Sequence, residues 1–123
     1  MKNYLLTYVY LIFLIFLFFS CCTKEILIDV PPQLEIRVTD LNDQTVSSVS
    51  VSLYLTFDDW DQELNAVATQ TTDLNGVVLF EALEPQTYFF YAEKGTLNNK
   101  FGVATHSMML TPNQKINVTT QIK

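Results

Sequence analysis

The sequence predicts an all-β fold, a seven-stranded antiparallel β-sandwich, behind an N-terminal segment of a different kind. Three observations carry this. From Leu34 onward apolar residues recur with period two, as in a strand with one buried face. Turn-forming residues interrupt those stretches at short intervals. No stretch beyond residue 20 repeats at the helical period. The chain therefore divides into a signal segment at 1–20, a tether at 21–33 and the sandwich at 34–123.

The first segment opens with Met1-Lys2-Asn3 and continues from Leu5 to Phe19 without a charge, up to Ser20-Cys21-Cys22. A basic head, an apolar run and a small residue before a cut describe an export signal. The alternative is a spanning helix, but the run falls short of the roughly 20 apolar residues a span needs. Only Lys24, beside Glu25, follows to stop transfer. The tether contains Pro31-Pro32, which favours an extended chain and marks where the domain begins.

The strands follow in order. Leu34, Ile36 and Val38 alternate with Glu35, Arg37 and Thr39, and Asp40–Gln44 is turn material. Val49, Val51, Leu53, Leu55 and Phe57 form the longest alternation. Asp58–Glu63 reads as a polar loop, followed by a third strand near Ala66–Thr71. Thr72-Asp73-Leu74-Asn75-Gly76 is a tight turn, where Asn and Gly tolerate positive φ. Val77–Phe80 and the aromatic Tyr88–Ala92 are the fourth and fifth strands, with a turn at Leu83–Gln86 between them. Gly95 and Asn98-Asn99 make a loop, Phe101–His106 a weaker strand, Pro112-Asn113 a turn, and Ile116–Ile122 the last strand. Seven strands over about 90 residues fit a two-sheet sandwich.

Composition excludes several functions. Both cysteines, Cys21 and Cys22, precede the folded part, so no disulfide, thiolate metal site or cysteine nucleophile is available to it. Loss of residues 1–20 removes Lys2 from the seven basic residues and none of the thirteen acidic ones, leaving a net charge of −7. Such a surface repels nucleic acid and gains nothing from anionic headgroups.

The residues Phe18-Phe19-Ser20-Cys21 resemble a bacterial lipobox of the Bacteroidetes type, with Phe18 in place of the usual Leu and Phe19 bulkier than usual. The resemblance implies cleavage before Cys21 and acylation (palmitate among the acyl groups) of that cysteine, with Cys22 as the alternative. Buried acyl chains contribute about 0.8 kcal/mol per CH₂, and more than one chain makes a durable anchor. The implied place is the cell envelope, at the outer membrane, facing periplasm or medium. Lys24-Glu25 resembles the charged signals that direct some such lipoproteins to the surface.

From Leu34 to Glu93 the chain resembles carboxypeptidase-regulatory-like, or transthyretin-like, sandwich domains. The resemblance rests on Val38-Thr39-Asp40, then Val46–Tyr54, then Thr72-Asp73-Leu74-Asn75-Gly76 with Phe80, then Leu83-Glu84-Pro85-Gln86-Thr87-Tyr88. Ser48-Val49 stands for the family's Gly-Ala, Thr45 for a Pro and Gln86 for a Gly. It implies a transthyretin-like or Ig-like fold and leaves function open, since such domains serve as spacers, accessory modules and binding platforms. In related sandwiches a tyrosine hydroxyl ties down a turn, a role implied for Tyr88. Transthyretin-like hydrolases use several His and Arg residues and a Tyr-Arg-Gly-Ser tail. This chain has His106, Arg37 and the ending Thr120-Gln121-Ile122-Lys123.

Few residues carry chemistry. Asp58, Asp59, Asp61 and Glu63 could gather a hard cation, though such runs are more often solvated loop tips. Trp60 among them, if exposed, could stack on a sugar or fill a partner's pocket; its ordinary role is to fold back on the sandwich. Asp73-x-Asn75-Gly76 lacks the further ligands of a calcium loop, and His106 lacks the partners of a zinc site or triad. The expectation is a non-catalytic, membrane-anchored accessory module needing no cofactor or metal. Its candidate contacts are Trp60, Asp58, Asp59 and Asp61, and its partner an envelope protein or glycan. The other expectations are a carbohydrate-binding protein and a subunit of a surface assembly joined through Ile116–Ile122 as an open edge.

Overall fold

A computed structural model describes residues 2–17, 28–102 and 104–123. Cys21, Cys22, the lipobox residues before Cys21 and the Lys24-Glu25 pair lie outside the described residues. Helix α1 spans Lys2–Leu17, and its side chains from Asn3 to Leu14 are exposed. Among the described residues no helix is long and apolar enough to cross a membrane.

The domain is two sheets face to face. The strands are β1 (Gln33–Thr39), β2 (Ser50–Tyr54), β3 (Ala68–Thr71), β4 (Val77–Phe80), β5 (Phe89–Lys94), β6 (Leu97–Asn98) and β7 (Lys115–Gln121), with helix α2 at Phe57–Gln62. One sheet has the order β4-β1-β7, the other β3-β2-β5-β6. Alternation fixes which side chains meet. Leu34, Ile36 and Val38 of β1 face Val49, Val51 and Leu53, with Phe80, Phe90, Leu110 and Ile122 filling the space between the sheets. Each of these is at most 1% exposed. Burying one such side chain contributes about 1.5–3 kcal/mol.

The sheets are not antiparallel throughout. β1 pairs with β4 antiparallel but with β7 in parallel, Leu34 opposite Ile116 and Val38 opposite Thr120. The cause lies where the strands begin. Asn113, in the turn before β7, accepts from Val30 N through Oδ1 (2.8 Å) and donates its own N–H to Val30 O (2.8 Å). Both strands therefore start from one end of the sandwich and run the same way. The same bonds dock the chain from Val30 onward, before the end of the expected tether at residue 33.

Three elements differ from expectation. The alternation read from Val49 to Phe57 is a strand only to Tyr54, Leu55 and Phe57 being exposed. Asp58–Glu63 is mostly helix rather than loop. Thr56 Oγ1 accepts from Asp59 N (3.1 Å), Asp58 and Asp59 lie in the first turn, and Glu63 closes the helix at φ 56°. Acidic residues at a helix start are favoured by its dipole. The sixth strand is Leu97–Asn98, while among the described residues of Phe101–His106 there is an isolated bridge from His106 to Phe89 and a bond from Phe90 N to Thr105 O, but no strand. Asn99 is the reason. Its buried side chain accepts from Ala92 N (2.9 Å) and donates to Phe90 O (3.2 Å), occupying the edge of β5 where the next residues would pair.

Candidate functional site

Helix α2 lies on the outer face of the four-stranded sheet. Ser52 pairs with Tyr91 and Tyr54 with Phe89, so Tyr54, Tyr91 and Phe89 share the face turned away from the core. Trp60 packs on Tyr54 and Tyr91 and is 5% exposed. Its Nε1 donates to Phe90 O at 2.9 Å. The ring of Phe57 lies 5.4 Å from that of Trp60 and 6.1 Å from that of Phe89. Lys100 closes the far side. Its Nζ donates to Asp61 O (2.6 Å) and Glu63 Oε1 (3.3 Å) and lies 5.9 Å from the centre of the Trp60 ring.

The structure thus separates the residues the sequence grouped. Trp60 is turned inward, and its faces are not open to a sugar or a partner's pocket. Asp59 is half-buried, and its Oδ1 accepts from Asn65 Nδ2 (3.0 Å). Asp58 and Asp61 face solvent beside Phe57, which is 56% exposed. Among the described residues no group of three or more His, Cys, Asp or Glu is placed to hold a metal ion. The outward features of α2 are a half-exposed phenyl ring flanked by two carboxylates.

Beneath the helix the two phenols are perturbed. Burial holds the Tyr54 hydroxyl above its ordinary range, with Glu63 and Glu93 adding repulsion and a hydrogen bond from Ser52 opposing. Tyr91 is pushed up to about 12 by burial, then by Glu63 and Glu93. Both are protonated packing groups at neutral pH.

The other candidates serve the fold. Asp73 Oδ1 accepts from Asn75 N (2.9 Å) and Val77 N (3.0 Å), which uses that carboxylate as a turn. The exposed His106 lies with its ring 5.9 Å from that of Phe89. The Tyr88 hydroxyl accepts from Glu84 N (3.0 Å) and ties down the turn before β5.

Sequence reasoning missed Lys100 and Asn99. No local pattern marks either: Lys100 bonds Asp61 and Glu63, more than thirty residues away, and Asn99 reaches back across a turn to β5. The α2 start did carry a signal: Thr56-x-x-Asp59 has the spacing of a capping box.

No family model matches the chain, and no curated protein matches it. Among solved structures it is similar to the Bacillus anthracis TIE protein, with a TM-score of 0.53 and 17% identity over 76% of this chain and 16% of that one. It is also similar to BcpA, the major pilin subunit of Bacillus cereus, with a TM-score of 0.49 and 16% identity over 76% of this chain and 30% of that one. The chain spans only a small part of each of these longer proteins. At 17% identity the likeness to the TIE protein bears on the fold alone.

Proposed function

We propose that the chain is a non-catalytic accessory lipoprotein of a bacterial envelope, a rigid sandwich held at the membrane by lipid on Cys21 and meeting a protein partner through its surface. The anchor rests on the lipobox resemblance at Cys21, and the observation that carries the non-catalytic reading is the internal use of the reactive groups. The Trp60 indole, the Asp59 and Asp73 carboxylates and the Lys100 amine all hold backbone or neighbouring side chains in place. A group so engaged stiffens a scaffold and is not free to bind or turn over a substrate. A sugar-binding role rested on Trp60 and the sheet tyrosines as stacking platforms, and Trp60, Tyr88 and Tyr91 are all buried. The contact we assign to α2 is its outward side: Phe57, Asp58 and Asp61.

Two experiments test this. In a bacterium that processes lipoproteins, Cys21→Ala is expected to accumulate only as the uncleaved, membrane-held form; normal maturation would rule out the anchor. A photo-crosslinking residue at position 58 or 61 is expected to trap one reproducible envelope protein in cells. A folded, displayed domain that traps none would place the contact elsewhere.

A further inference from the structure

The sandwich manages its strand edges unequally. The outward edge of β5 is filled. Asn99 takes the Ala92 N–H, Trp60 and Asn99 share the Phe90 carbonyl, and Phe90 N donates to Thr105 O at 2.9 Å. The edge of β4 spans four residues, and Asp73 takes its Val77 N–H. β7 is treated differently. It ends its sheet, runs for seven residues, contains neither Pro nor Gly, and carries its one charge at its first position. Short length, proline, charge on the edge and a covering loop are the usual guards against edge pairing; β7 has a lysine at its first position and Asn98 beside Lys123 just past its end, and from Asn117 to Thr119 it has none among the described residues.

The parity of its hydrogen bonds is fixed. Gln33 N donates to Gln114 O and Ile122 N to Thr39 O, so a parallel ladder turns the amides and carbonyls of Ile116, Val118 and Thr120 toward β1. Those of Lys115, Asn117 and Thr119 point the other way. Lys123, of the same parity, exchanges bonds with Asn98 on that far side (3.0 and 3.2 Å). Among the described residues no strand pairs with Lys115, Asn117 or Thr119 there. A second sign of a missing neighbour is burial. Ile116 and Val118 pack toward the core yet stay half-exposed, whereas Leu34 and Ile36 beside them are 0% exposed.

We infer that this edge pairs with the same edge of a second copy of the chain, antiparallel, about a two-fold axis through Asn117. That register sets Asn117 opposite Asn117, Lys115 opposite Thr119 and Ile116 opposite Val118. Three outward-pointing residues of each copy then bond in register. No like charges meet, because the only charge, Lys115, faces a threonine. The apolar pair Ile116–Val118 gains the cover each lacks. Shifting by one pair would oppose Lys115 to Gln121, whose carbonyl is already approached by Gly102, with 3.1 Å to a Cβ built there. The two three-stranded sheets become one of six strands. The inference stands on the fold and is independent of the anchoring at Cys21.

The test is a photo-crosslinking residue at position 117 of the full chain in membranes, with the same residue at Thr69 on the β3 edge as control. The expected product is a dimer of the chain from position 117 only, with the crosslinked peptide mapping to β7. Asn117→Pro removes a donor that only the partner uses, and Asn117→Lys places like charges on the axis. Both are expected to cut dimer yield at least tenfold, the second recovering in high salt, with circular dichroism unchanged. No dimer from position 117 would overturn the inference. So would a crosslink there to a different protein, or equal dimer yield from position 69.

Discussion

Gly76 holds φ +71°, and a Cβ there would lie 2.9 Å from Val46 N and 3.0 Å from Val38 O. Left-handed backbone alone costs a non-glycine residue about 1–2 kcal/mol, and here the backbone has no room to retreat. Gly95, at φ +61°, has nothing within 4 Å. Gly76→Ala is expected to lower unfolding free energy by about 2–4 kcal/mol and Gly95→Ala by about 1 kcal/mol, measured by urea titration. Trp60→Ala removes a packed indole and is expected to cost about 3 kcal/mol; Trp60→Phe, losing chiefly the bond to Phe90 O, about 1 kcal/mol. Tyr91 gives a pH signature. Its folded pKa stands at about 12 against an ordinary 10.0, so between those values the unfolded chain ionises first and stability falls as pH rises. Below pH 10 the phenol is protonated in both states and contributes no slope. Tyr91→Phe is expected to flatten the decline between pH 10 and 12 in thermal melts. At this scale the sequence shows what is local. Asp73-x-Asn75-Gly76 and Tyr88 could be read because their partners lie within a few residues, but the roles of Trp60 and Asn99 are set by strands thirty and seven residues away.

Among the elements, β1, β2 and β4 were legible because one face of each is buried and the apolar residues alternate, and β7 because Ile116 and Val118 alternate with polar residues although they are only partly covered. Helix α2 was not. One and a half turns with one buried residue give no helical periodicity, and its charge reads as a loop. Its stability comes from caps and from Trp60 on Tyr54 and Tyr91. Thr56→Ala, which orphans the Asp59 N–H, is expected to cost about 1 kcal/mol and to expose Trp60 locally, read as a red shift of its fluorescence. The strand expected at Phe101–His106 is displaced because the Asn99 side chain already occupies the β5 edge at Phe90 and Ala92.

For the whole molecule, two-sheet architecture followed from strand count and turn spacing, whereas strand direction did not. Parallel pairing of β1 with β7 depends on Val30 meeting Asn113, a contact across the length of the domain that no short window contains. That contact sets where the chain leaves the sandwich: the N-terminal segment departs from the end at which both β1 and β7 begin.

The proposed role depends first on how the chain is held there. The direct measurement is the intact mass of the protein extracted from membranes of a bacterium that processes lipoproteins. The expected mass is that of residues 21–123 plus a diacylglyceryl group and its acyl chains on the first residue. The unmodified mass of the full 123-residue chain, or of a cleaved chain without lipid, would contradict it.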